Sequence, residues 1–269
     1  MDYFWYTQEI IPEGMGFSHF DSFHLSWLGA GIAIIVAACF LYRRLGTDGR
    51  SRFRKTVALL LIADELFKLI PMFFMGTFHV KYLPFHLCSI NLFVITWHAW
   101  RPNKTLDNFL YTVCIPGAVA AMLFCTWTPL PAWNYMVLHS FTVHILLILY
   151  PVVLTAAGEI KPELREVPKS LLVLAVLACV ALVLNLLWDT NFMFLMYAEE
   201  GNPLLIFENL WGDHRLGFPV LITAVVAVMH APWVIRRKTK NSNNSRRPDD
   251  LREFYVTVLR PLPAAEYRQ

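Results

Sequence analysis

The sequence predicts an all-α, polytopic membrane protein with seven transmembrane helices, its N-terminus outside and its C-terminus in the cytoplasm. Three observations predict it. Hydrophobic residues make up 57% of the 269 residues and charged residues only 16%, against about 25% charged in a soluble domain. Apolar runs on the scale of a hydrocarbon core ~30 Å thick fall at 23–42, 56–75, 83–100, 108–127, 134–157, 170–188 and 217–235. Lysine and arginine then alternate between rich and poor connections along the chain.

Residues 1–22 are acidic and aromatic, unlike the basic-then-apolar pattern of a cleavable signal, and read as an extracytoplasmic segment. The first run ends in a basic stretch holding Arg43, Arg44, Arg50, Arg52, Arg54 and Lys55. The third run is short and leads to Arg101 and Lys104. The fifth is interrupted by Pro151 and leads to Lys161, Arg165 and Lys169. Nine more basic residues follow the seventh run. In all, twenty basic residues fall in these inner segments, two (Lys81 and Arg215) in the outer ones, and Lys68 inside a span. The positive-inside rule converts that bias into the stated topology, and adding or dropping one helix would destroy the alternation.

The chain therefore divides into an outer segment 1–22, a membrane domain 23–236 and a basic cytoplasmic tail 237–269. Within the tail, LREFYVTVLRPLP is expected to lie on the membrane surface. The net charge of +3 reflects cytoplasmic loops and tail, which speaks to topology and anionic lipid headgroups rather than to nucleic acid. All five cysteines fall in apolar runs and read as free thiols, with no disulfide framework.

Ionisable groups within spans are costly, so each is a candidate functional residue. ADELFKLIP in the second run places Asp64 and Lys68 four apart on one helical face, where they can pair or hold a substrate headgroup. His98, beside Trp97 and Trp100, suits an interfacial aromatic belt. His86 and Cys88 in YLPFHLCSI, and His139 and His144 in NYMVLHSFTVH, all fall at membrane depth. An imidazole that takes a thiol's proton makes the thiolate a nucleophile for carbonyl carbon. A shared metal is the rival chemistry. Ligands on one helix favour spacings of three or four, however, and these pairs are two and five apart, so no metal is assigned. Taking run midpoints near residues 92 and 144 puts Cys88 level with His139 and above His144.

These motifs resemble the YwaF-like family of bacterial integral membrane proteins, related to eukaryotic transmembrane protein 164. The resemblance rests on ADELFKLIP, on YLPFHLCSI, on His144 seven residues before Pro151, and on NFMFLMYAEEGNPLL followed by WGDHRLGFP. It implies a heptahelical protein of the bacterial cytoplasmic membrane. It also implies a cysteine-dependent transfer of acyl chains between phospholipids, with Cys88 as nucleophile and His144 as its partner. His86 or His139 would then assist, Asp64, Lys68, Asn191 and Trp211 would bind substrate, and membrane phospholipids would be the partners, with no diffusible cofactor. A transporter or heptahelical ligand-binding protein built on Asp64, Lys68 and the histidines is the alternative.

Overall fold

Helix α6 (Tyr135–Ala156) is the hub around which the other helices are arranged. In the computed structural model, which describes residues 3–199 and 202–245, it touches helices α1 (Ser22–Arg44), α2 (Thr47–Phe74), α3 (Leu87–Trp100) and α5 (Ile115–Leu123). Its apolar side chains are buried on every side, whereas an outer helix of the bundle buries one stripe and leaves the rest to lipid. Pro151 sits inside α6 without ending it, as membrane helices tolerate where neighbours re-satisfy the freed backbone groups.

No strand is present among the described residues, and each apolar run is matched by a helix. The fourth run is composite: α4 (Lys104–Phe109), a π-helical turn (Leu110–Cys114), then α5. Helices α7 (Val167–Trp188), α8 (Leu205–Trp211) and α9 (Gly217–Ser245) complete the order. Five segments are long and apolar enough to cross a membrane: Ser22–Arg44, Lys104–Leu123, Tyr135–Ala156, Leu164–Trp188 and His214–Arg236. Helix α2 is long but carries the basic stretch in its first turns. Helix α3 has 14 residues, about 21 Å of rise. The chain divides into two units, Met1–Met229 and His230–Gln269. The second is described only as helix, to Ser245, so most of the basic tail and the whole of LREFYVTVLRPLP lie outside the described residues.

Polar clasps hold the helix ends. At the carboxyl end of α6, Glu159 accepts from Tyr42 Oη (2.9 Å), Arg50 Nη1 (3.2 Å) and Arg54 Nη1 (2.8 Å), and Arg43 Nη2 donates to the Ala156 carbonyl at 2.7 Å. His98 is not part of an interfacial belt: it is buried, donating from Nε2 to Asp107 at 2.7 Å and accepting from Tyr150 Oη at 2.8 Å. At the amino end of α6 the N-terminal segment is stitched down. Asn134 Nδ2 donates to the Tyr3 and Tyr6 carbonyls, and Phe17 N–H donates to Thr128.

Contacts along α2 set the helix directions. Arg54 lies beside Glu159 and Asp64 beside Thr142, so α2 and α6 are antiparallel. Lys55 lies over Trp100, and the charge of Lys68 reaches His86, so α2 and α3 are antiparallel too. Helices α3 and α6 therefore run parallel, with His98 level with Tyr150.

Helix α1 approaches α6 closely because Gly31 has no side chain. A Cβ there would stand 3.1 Å from Ile145 Cγ1. Gly31→Leu is expected to push the two helices apart and cost about 1–3 kcal/mol, read as a lowered melting temperature in detergent, while an exposed control such as Gly29→Leu leaves it unchanged.

Candidate active site

Hydrocarbon supplies no hydrogen bonds, so polar side chains at membrane depth must find one another. They do so where α2, α3 and α6 meet. His139 Nδ1 donates to the main-chain carbonyl of Asp64 at 3.1 Å and lies 3.1 Å from Asp64 Oδ2. Both neighbours only accept, so Nδ1 carries a hydrogen. Nε2 stands 3.8 Å from Glu65 Oε2, and Thr142 Oγ1 donates to Asp64 Oδ1 at 2.9 Å. Lys68 does not pair with Asp64 as its spacing predicts. Its ammonium lies 2.5 Å from Glu65 Oε1, one residue nearer along the helix, and both side chains are buried. Asp64 is thereby left to His139.

Cys88 is the second residue of α3, and His86 is that helix's N-cap residue. Protein atoms crowd the thiol on all sides, yet it keeps partial accessible surface, which places it in a crevice of the bundle. The buried Cys114, in the π turn, lies within electrostatic reach of Cys88 and donates to the Leu147 carbonyl at 3.5 Å. No hydrogen bond joins Cys88 to an imidazole among the described residues.

Helix geometry shows which imidazole faces it. With His98 level with Tyr150 and the helices parallel, Cys88 is level with residue 140, beside His139. His139 and Tyr150 are eleven apart, within about 20° of one another on α6, so His139 shares the α3-facing side. His144 is rotated about 140° from His139. It stacks on Trp127 (5.3 Å, 19°), and its Nδ1 donates to the Ser140 carbonyl at 2.5 Å. The structure thus brings His139, Asp64, Glu65 and Lys68 to one seam, with Cys88 at the height of His139, His86 at the end of the seam, and His144 on another side of α6.

The outer segment is a tightly bonded cover. Asn191 knits it: its Oδ1 accepts from the main chain of Met196 (3.1 Å) and Tyr197 (3.3 Å), and its Nδ2 donates to the Tyr197 carbonyl (3.0 Å). Asn185 holds Phe192 in the same way. Asp189, Met193 and Phe194 adopt left-handed φ of 51°, 58° and 55°, a strain that only dense bonding sustains. Phe192 and Phe194 bring their rings to 5.3 and 5.7 Å from His86. Trp211 is exposed at the end of α8, against Phe207. An apolar groove of about 500 Å³ runs along the outer face of α3, lined by Pro84, Phe85, Ile90, Phe93, Trp97 and Leu177 among others.

Reasoning from ionisable residues missed Asn91. It is fully buried on α3, and neither of its amide atoms has a hydrogen-bond partner. The signal was present: an amide in an apolar run, three residues after Cys88.

The family model described as the TMEM164 family matches residues 16–235. The chain belongs to the TMEM164 family. The matched span covers α1 to α8, most of α9 and every residue of the seam. No curated protein and no solved structure matches the chain.

The loop that carries His86 is anchored outside the membrane by Glu9, which ion-pairs with Lys81 and accepts from Tyr82 Oη at 2.8 Å. Burial works to raise the Glu9 carboxyl. Lys81, Thr7 and Tyr82 overcome it, and the group falls from 4.5 to about 2. A lowered carboxyl stabilises the fold fully above its unfolded value and loses that contribution as pH falls through its folded one. The melting-temperature difference between the parent protein and Glu9→Gln is therefore expected to be constant above pH 4.5 and to close toward pH 2.

Proposed function

We propose that this TMEM164-family protein is an integral-membrane acyltransferase that moves fatty acyl chains between phospholipids through Cys88. The observation that carries the reading is an imidazole fixed by a carboxylate at the level of a free thiol, inside lipid. Asp64 orients His139 so that its Nε2 is available to take a proton, which is the role of the third group in a nucleophile–base–acid triad. Cys88 stands in the first turn of α3.

In this reading the Cys88 thiol gives its proton to His139 and the sulfur attacks the acyl ester carbonyl of a donor lipid. The tetrahedral intermediate expels the lysophospholipid oxygen, which takes the proton from the imidazolium. The resulting thioester is opened by the hydroxyl of an acceptor lysolipid. His139 takes the hydroxyl proton and returns it to the departing sulfur. No diffusible cofactor is required. The apolar groove lies on the opposite face of α3 from Cys88, with Phe93 and Trp97 about 140° and 180° around the helix from it. His86 and Lys68, at the outer end of the seam, suit headgroup positioning. Asn191 and Trp211 would act on substrate through the cover: Asn191 by holding its shape, Trp211 at its rim.

The reading includes seven crossings of a bacterial cytoplasmic membrane, N-terminus outside. Helices α2 and α3 supply the two crossings beyond the five long apolar segments, α2 through residues 56–74. A second reading, a transporter or ligand-binding heptahelical protein, is favoured by the buried Glu65–Lys68 pair, because buried ion pairs cost desolvation energy that stability alone does not repay.

Acyl exchange on deuterated phospholipids in proteoliposomes separates these readings. Cys88→Ala is expected to abolish exchange, and unchanged turnover would end the proposal. His139→Gln is expected to slow exchange by about 10²–10⁴. His144→Gln, the change that the family resemblance singles out, is expected to slow it far less; the reverse order would reassign the base to His144. A transporter would instead tolerate Cys88→Ala and lose proton-coupled uptake with Asp64→Asn.

A further inference from the structure

We infer that the side-chain amide of Asn91 donates from Nδ2 to the oxyanion formed when Cys88 attacks an acyl carbonyl. The inference rests on the acyl-transfer reading above.

Asn91 is fully buried, and both its amide nitrogen and its amide oxygen lack partners. Native interiors satisfy the great majority of such atoms, because an orphaned amide carries its full desolvation cost. This orphan lies less than one helical turn from Cys88. The other groups left without partners nearby are carboxylate oxygens of Asp64 and Glu65, which can only accept. Asn91 alone in the seam is left with both a donor and an acceptor to offer.

Its placement suits the role. Asn91 and His98 are seven residues apart, within about 20° on α3. His98 faces Tyr150 of α6, so Asn91 faces α6 as well. It lies three residues below Cys88, about 4.5 Å along the axis. Helical side chains lean toward the amino end, so its amide reaches back toward the turn that carries Cys88. His139, on the facing helix, is level with Cys88. Asn91 thus sits beneath the gap in which a carbonyl carbon would meet the sulfur.

The chemistry asks for such a donor. Thiolate attack moves the carbonyl π pair onto oxygen, and in a medium without water that charge needs a donor from the protein. A preorganised neutral amide can do so without moving. When the intermediate collapses the oxyanion reforms the carbonyl, and no proton passes through Asn91.

The test uses the full-length protein in vesicles of phosphatidylcholine with deuterated acyl chains, a lysophospholipid acceptor, and mass spectrometry of the Cys88 thioester. Asn91→Leu removes donor and acceptor at similar volume; Asn91→Asp keeps the shape but removes the donor. Both are expected to lower kcat, and the rate of thioester formation, by about 10²–10³ with KM nearly unchanged. Asn91→Leu is also expected to raise the melting temperature, since it removes an orphaned amide. A structural amide would give the opposite: a lowered melting temperature in both variants with turnover per folded molecule retained, which overturns the inference. Turnover within threefold of the parent in Asn91→Leu, with Cys88→Ala inactive, overturns the inference and leaves the acyl-transfer reading standing. An active Cys88→Ala overturns both.

Discussion

Two carboxylates, a lysine and a histidine at membrane depth have little but one another to bond to, and the rest of this fold is arranged around that constraint. Asp64, Glu65 and Lys68 all lie on α2, so α2 cannot turn away from the bundle without exposing charge to lipid. His139 and Thr142 on α6 meet the Asp64 side. That contact fixes both the rotation of α6 and its height against α2. Once α6 is fixed, its other faces are assigned: Ile145 to Gly31 of α1, Phe141 to the cluster with Met122 and Leu130, Leu147 to Cys114, Tyr150 to His98.

The clasps at the two ends serve the same geometry from outside. Glu159 gathers Tyr42, Arg50 and Arg54 where water can still solvate the surplus charge. At the other end, the N-terminal segment bonds the amino end of α6, and the strained cover closes over the amino end of α3. A 14-residue helix buries too little apolar surface along its own length to be positioned by lipid alone. Its ends are therefore held by side chains from elsewhere: Phe192 and Phe194 against His86, and Asp107 and Tyr150 on His98.

The helical class was legible because lipid makes its demand on composition directly: a span must be apolar, and α1, α6 and α7 read as spans at sight. The start of α2 was not legible. Thr47–Lys55 is a helix in water, where periodicity is weak and basic residues are tolerated, so it looks like a loop from sequence. The pairing of Lys68 was half legible. Glu65 and Asp64 are both within reach on the same helix, and which one Lys68 takes depends on where α6 puts His139. The choice between His139 and His144 was open for the same reason. Run midpoints already put His139 at the height of Cys88, but the facing side depends on the rotation of α6, which the contact between His98 and Tyr150 reveals. Asn91 escaped a search for charge because an amide has none.

Charge balance connects the seam to its chemistry. The seam sets two carboxyl groups, Asp64 and Glu65, against one amine, Lys68, and one imidazole, His139. In the proposed reaction a proton moving from Cys88 to His139 leaves a thiolate in the first turn of α3 and an imidazolium between two carboxylates, so the new positive charge forms beside groups that stabilise it. In water such preparation is worth little; at low dielectric, where solvent cannot reorganise around a forming ion pair, it decides whether the pair forms at all. The carboxylate that does not touch Lys68 is the one that bonds the histidine. A single carboxylate shared by both cations would satisfy the lysine and leave the imidazolium unsupported. The adjacent acidic residues Asp64 and Glu65 are thus two separate requirements met on one turn of one helix.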